Sequence, residues 1–170
     1  SDIAKQWQVS QLEAASRIQP AGAVYHCMLE SDVKTFLGYE HSMIGSDGLP
    51  CDPHPHPRLW GTFPRVLGHY CREEKLFSLN LALHKMTALP AEHFKLCQRG
   101  KIEVGFFADL VLFDPEKIID NASYSNPQFK ASGIEMVWVN GALSYQSSDN
   151  STEYSGFGRA GQFLNRHNHS

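Results

Sequence analysis

Between Gly48 and Pro57 the chain carries Pro50, Pro53, Pro55 and Pro57, and no regular interior element tolerates that spacing. Each proline lacks the N–H that a helix or a sheet ladder requires, and its ring disfavours helical backbone in the residue before it. The segment is therefore expected to be a loop, and the stretches on either side of it are read separately.

Upstream, Ser10-Gln-Leu-Glu13 fits a capping box, in which a hydroxyl and a carboxylate satisfy the exposed amides of a first helical turn. It opens a helix running to about Ile18, which Pro20 and Gly22 end. Ala23 to Met28 is an apolar run of strand length. Ser31 to Gly38 reads as a second helix with Asp32 in its first turn, and Ser42 to Gly45 as a second short buried strand. Helix, strand, helix, strand with short connections is the order of α/β units wound on a parallel sheet. Two parallel strands cannot close such a sheet, and the edges and apolar faces they leave need other polypeptide to cover them. The expectation is a piece of a larger α/β fold.

Downstream, helical patterning resumes at Thr62 to Lys75 and at Leu79 to Met86, with Ser78 placed as an N-cap. Trp60, Phe63 and Tyr70 are expected to pack the loop against its helix. From Arg99 the pattern changes to glycine-punctuated β: Gly100 to Gly105, Ala108 to Asp114, then Ile134 to Val139. The last of these enters Asn140-Gly141, a strong hairpin signal, and returns through Ala142 to Tyr145. A polar tail from Ser147, ending in His167 and His169, reads as loosely attached.

Composition narrows the class. With 42% hydrophobic and 19% charged residues the chain can pack a core. A net charge of -3 with scattered Lys and Arg offers no basic face for a phosphate backbone, so nucleic acid is excluded as a partner. No apolar run approaches the roughly 20 residues that a membrane span needs. Cys27, Cys51, Cys71 and Cys97 have no CxxC spacing, which suggests free thiols in a reducing compartment and a cytoplasmic location.

The residue with the strongest chemical placement is Asp47, in Ser46-Asp47-Gly48, directly after the strand expected at Ser42 to Gly45. Reactive groups of α/β folds sit at that carboxyl end, and a carboxylate there can take a proton from water and return it to a leaving amine. By itself, Asp-Gly is more often an ordinary turn. His54-Pro-His56 has the spacing of a metal-ligand pair, but it is enclosed by prolines and reads as a loop-shaping element.

The longer string Met43-Ile-Gly-Ser-Asp47-Gly-Leu-Pro50, followed by His54-Pro-His-Pro-Arg58-Leu-Trp-Gly-Thr-Phe63, resembles the segment after the last barrel strand of the D-aminoacylases (N-acyl-D-amino-acid deacylases) in the amidohydrolase superfamily. Arg99 to Asp114 and Val137-Trp-Val-Asn-Gly141 extend the resemblance, so that it covers about Ile3 to Gly141. It implies the C-terminal part of a (β/α)₈ barrel over residues 1–97, part of a small β-sandwich over 98–146 and a tail over 147–170. It also implies zinc-activated hydrolysis of N-acyl-D-amino acids. Asp47 then corresponds to the aspartate beside the metal, acting as general base and acid and counted with the metal site, and Arg58 to a planar anchor for the substrate carboxylate. The family's metal-ligating histidines and cysteine belong to strands upstream of this chain, so the expected partner is the missing N-terminal part of the barrel. The segment alone is expected to be inactive. Two other readings stay open: a non-catalytic stand-alone domain, and an unrelated metal-binding protein using His54, His56 and Cys51.

Overall fold

The computed structural model describes residues 2–22, 24–51, 53–147 and 159–164. The chain divides into two compact units, Ser1–Asp32 and Val33–Ser170.

In the first unit α1 (Asp2–Gln6) packs with α2 (Gln11–Ile18), burying Ala4 and Ala14. Ser10 caps α2 as its sequence position implies: its Oγ accepts the Glu13 N–H at 3.1 Å. The Glu13 carboxylate takes the Arg17 Nε–H at 2.9 Å, one turn on. A third helix, α3 (Glu30–Gly38), runs from this unit into the next.

Neither strand expected in the first half forms. Residues 24–28 are irregular and expose Val24, Tyr25 and Met28, and Ser42 to Gly45 enters no ladder with any described residue. Ala23, the first residue of the expected strand, lies outside the described residues. The physical reason is that a strand is a property of a pair: its N–H and C=O groups need a neighbour, and apolar composition alone supplies none. In place of a ladder, Ile44 N–H donates to the Lys85 carbonyl at 3.1 Å.

The second unit is built on a nearly continuous helical path. α4 (Arg58–Arg65) passes into a π-helix (Val66–Glu73), followed by α5 (Leu79–Met86) and α6 (Ala88–His93). The helix expected over Thr62 to Lys75 is thus present, but wider than expected in its second half, where Glu74 N–H reaches back five residues to the His69 carbonyl. The widening begins two residues past Pro64, which has no N–H to return to the carbonyl four residues back. Ser78 caps α5, its Oγ accepting the Leu81 N–H at 3.2 Å.

The core gathers Val66, Leu67, Tyr70, Phe77, Ala82 and Ile118, and burial of each large side chain there contributes about 1.5–3 kcal/mol. Gly68 lets the π-helix come close to the segment at Ile118; a Cβ at this position would lie 2.4 Å from the Ile118 carbonyl oxygen. Of the aromatic residues expected to pack the loop against its helix, Tyr70 is buried in this core, whereas Trp60 and Phe63 are 38% and 44% exposed. Neither is among the residues packed against the core cluster.

The β part is a three-stranded antiparallel sheet in the order β1 (Leu110–Phe113), β2 (Ile134–Val139), β3 (Ala142–Gln146). Val137 pairs with Val111 on one side and Tyr145 on the other. Asn140 and Gly141 turn the β2–β3 hairpin with φ of 49° and 79°, the two positive values that a two-residue turn of this hand requires. The strand expected from Gly100 to Gly105 is absent, the residues forming turns with Ile102 and Val104 exposed. Gly100 and Gly105 bracket that run at φ of 80° and 91°, which bends the backbone out of a ladder at both ends. Arg99 ties the sheet to its lead-in: it pairs with Asp109, donates to Asn140 Oδ1 at 2.8 Å and lies over the Phe107 ring. Of the expected loose tail, residues 148–158 and 165–170, with His167 and His169, lie outside the described residues. Among the described residues no helix is long and apolar enough to cross a membrane.

Candidate functional site

Asp47 and Arg58, separated by the proline loop, come together. Asp47 Oδ2 and Arg58 Nη2 are 2.8 Å apart, with the side chains 78% and 42% exposed. Local chemistry explains how. Asp47 adopts the left-handed backbone, φ 48°, which aspartate tolerates better than most residues. Gly48 N–H donates to Ser46 Oγ at 3.3 Å, closing a tight turn around Asp47.

That turn is pressed against the start of α4. A Cβ on Gly48 would lie 2.7 Å from Leu59 Cδ1 and 2.8 Å from Leu59 Cα, closer than carbon atoms approach without overlap. Only glycine lets the backbone lie there, and the contact brings Asp47 alongside Arg58.

On the other side of the loop, the histidines are held by Tyr124. His54 Nε2–H donates to the Tyr124 carbonyl at 2.7 Å, since a carbonyl only accepts. His56 Nδ1 accepts the Arg58 N–H at 3.0 Å. The neutral ring then carries its proton on Nε2 and donates it to Tyr124 Oη at 3.2 Å, with the two rings edge to face. His56 therefore caps the first turn of α4 and so helps to set the position of Arg58. Further along, Arg65 pairs with Asp120 at 3.4 Å and lies over Tyr70. Burial works against its charge, yet Asp120 and Tyr70 outweigh that and hold the guanidinium above its usual pKa.

Behind the run leading to Asp47 lies a cavity of about 270 Å³, lined by Leu37, Met43, Ile44, Thr62, Val66 and other residues. Asp47 and Arg58 are not in its lining; they face solvent. Cys51 is exposed, and among the described residues no three His, Cys, Asp or Glu side chains gather to hold a metal ion. A metal site made of His54, His56 and Cys51 has no geometric support. Tyr124, which organises the loop, was not legible in the sequence, because it lies 68 residues from His56 and nothing local marks it.

Residues 7–145 match the model of the amidohydrolase family. D-aminoacylase of Alcaligenes xylosoxydans xylosoxydans is 48% identical over 155 residues, which make up 91% of this chain and 32% of that protein. N-acyl-D-glutamate deacylase of the same organism is 50% identical over 141 residues, 83% of this chain and 29% of that one. Among solved structures, N-acyl-D-glutamate deacylase from Bordetella bronchiseptica, complexed with zinc and a phosphonate mimic of the tetrahedral intermediate, superposes with a TM-score of 0.80. The identity is 47%, over 85% of this chain and 30% of that one. The chain spans about a third of the length of the curated relatives it matches.

Proposed function

This chain belongs to the amidohydrolase family, and from that premise we propose that it supplies the Asp47 and Arg58 side of an active site that hydrolyses the amide bond of N-acyl-D-amino acids. On this reading residues 1–97 are the C-terminal part of a (β/α)₈ barrel, residues 98–146 part of a small β-sandwich and residues 147–170 a tail. The exposed apolar side chains of Val24, Tyr25, Met28 and Leu29 are then a face that the rest of the barrel covers.

The observation that carries the reading is the Asp47–Arg58 pair at 2.8 Å. The guanidinium of Arg58 lies against the carboxylate oxygen that would act as the general base. An ion pair this exposed is worth only about 0–1 kcal/mol, so an incoming substrate carboxylate can take over the guanidinium at little cost. Its planar fork then anchors the substrate, and Asp47 is released beside it. The carboxylate accepts a proton from the attacking water and passes it to the departing amine.

Zinc belongs to this proposal with a restriction. A catalytic zinc requires about three protein ligands, and the described residues gather no such set; Asp47 alone offers one carboxylate. The described residues do not fit a zinc site, and the ligand set is assigned to polypeptide outside these 170 residues.

The test is Arg58→Ala in an enzyme of the relatives' full length. Losing a charge-assisted hydrogen bond of about 1.5–3 kcal/mol raises KM roughly 10- to 150-fold for an N-acyl-D-amino acid. An analogue whose carboxylate is replaced by an amide is little affected. Equal effects on both substrates would reject carboxylate anchoring.

A further inference from the structure

α5 reads Leu-Asn-Leu-Ala-Leu-His-Lys-Met, and its Lys85 is fully buried, with 0% of its surface exposed. Lysine is almost never buried to that extent without partners. Here Nζ donates to the Tyr39 carbonyl and, at 3.1 Å, to Ser42 Oγ. The Ser42 hydroxyl lies within hydrogen-bond distance of two carbonyls at the end of α3, Phe36 O at 2.6 Å and Tyr39 O at 2.8 Å. The main-chain carbonyl of Lys85 accepts the Ile44 N–H at 3.1 Å.

One residue thus grips the chain twice, at Tyr39–Ser42 through its side chain and at Ile44 through its backbone. The grip has an electrostatic logic. α3 has no basic residue in its last turn, so the negative end of its dipole is unmet by its own sequence, and Lys85 brings a cation to it from another helix. The buried ammonium is nonetheless costly: burial lowers the pKa of Lys85, with Glu40 opposing the shift. Apolar residues of similar volume often replace buried charges with no loss of stability. What the charge adds here is a fixed position for the run that follows.

That run leads straight to Asp47. We propose that Lys85 is a positioning residue for Asp47: by clamping Tyr39, Ser42 and Ile44 it sets where the Ser42–Gly45 run delivers the carboxylate to Arg58. The catalytic consequence rests on the function proposed above, whereas the clamp itself is a property of this chain.

The test is a double-mutant cycle in the enzyme of full length, pairing Lys85→Met with Asp47→Asn. A misplacement of about 1 Å costs on the order of 100-fold in turnover, so Lys85→Met is expected to lower kcat roughly 10- to 100-fold while KM stays within about twofold. In the Asp47→Asn background the same change is expected to alter kcat by less than about twofold, because the carboxylate it positions is gone. An equal fall in both backgrounds, or a change confined to KM, would overturn the proposal. Amide NMR shifts give a readout free of catalysis: Lys85→Met should move Ser46, Asp47 and Gly48 and leave β1 to β3 in place. Unmoved Ser46–Gly48 signals would also overturn it. Should Lys85→Met fail to fold, Ser42→Ala removes the hydroxyl link and is judged by the same outcomes. An unchanged kcat in Asp47→Asn alone would sink the acid–base reading but not the clamp, which the amide shifts judge separately.

Discussion

Gly48→Ala probes the contact on which the Asp47–Arg58 pair depends. Gly48 does not use the left-handed backbone reserved for glycine, so alanine brings no conformational strain and the perturbation is purely steric. The added methyl would lie 2.7 Å from Leu59 Cδ1 and 2.8 Å from Leu59 Cα, against about 3.5–4.0 Å for carbon atoms in contact. Rotation of the Leu59 side chain relieves the first overlap. It cannot relieve the second, because that atom belongs to the backbone of α4. Overpacking of this kind costs about 1–3 kcal/mol, and at about 2–4 °C per kcal/mol for a chain of this size the melting temperature should fall by roughly 2–12 °C. If the loop yields instead, the stability loss shrinks, but Asp47 moves off Arg58 and turnover falls. Thermal melts of this chain followed by circular dichroism, with kcat measured in an enzyme of the relatives' full length, cover both routes. Gly45→Ala is the control, since its methyl would meet nothing within 4 Å; it should be neutral or stabilise by up to about 1 kcal/mol. If Gly48→Ala changes neither melting temperature nor turnover, the loop is not pressed against α4 and the reasoning fails.

Gly68→Ala meets a backbone oxygen at 2.4 Å inside the core, so its melting temperature should fall at least as far as that of Gly48→Ala; a smaller fall would mean that the π-helix is not seated against Ile118. Glu74 is held below its usual 4.5 by its hydrogen bond with Lys34 and that residue's charge. A depressed carboxyl pKa adds stability that is present above 4.5 and lost as pH falls through the folded value. The melting temperatures of the wild type and Lys34→Met should therefore differ near neutrality and converge in acid, and a gap that persists at low pH would contradict the linkage.

Local signals were legible and distant ones were not. Ser10 and Ser78 mark helix starts, and Asn140-Gly141 marks a hairpin, because each acts on backbone within a few residues of itself. The runs at residues 24–28 and 42–45 look like strands by composition but need ladder partners, and no local pattern can report whether those are present. The periodicity of Thr62 to Lys75 marks a helix without revealing that it widens after Pro64. For the site, family resemblance singled out Asp47 and Arg58. Of the contacts that unite them, Gly48 against Leu59 spans the proline loop, whose path no local pattern fixes, and the histidines meet Tyr124 some 70 residues on. Lys85 carried a readable trace: helical spacing places it on the same side as Leu81 and Ala82. A lysine there is usually solvated at its tip, so its spacing alone does not reveal a buried ammonium.

The most direct measurement of the central claim is hydrolysis of an N-acyl-D-amino acid by the full-length enzyme carrying Asp47→Asn, with zinc content determined on the same preparation. Asparagine keeps the shape of the side chain but cannot take up and return the proton. The expected result is a fall in kcat on the order of 100-fold or more, the usual range for loss of a general base, with zinc content little changed. Turnover equal to the wild type at equal zinc content would contradict it.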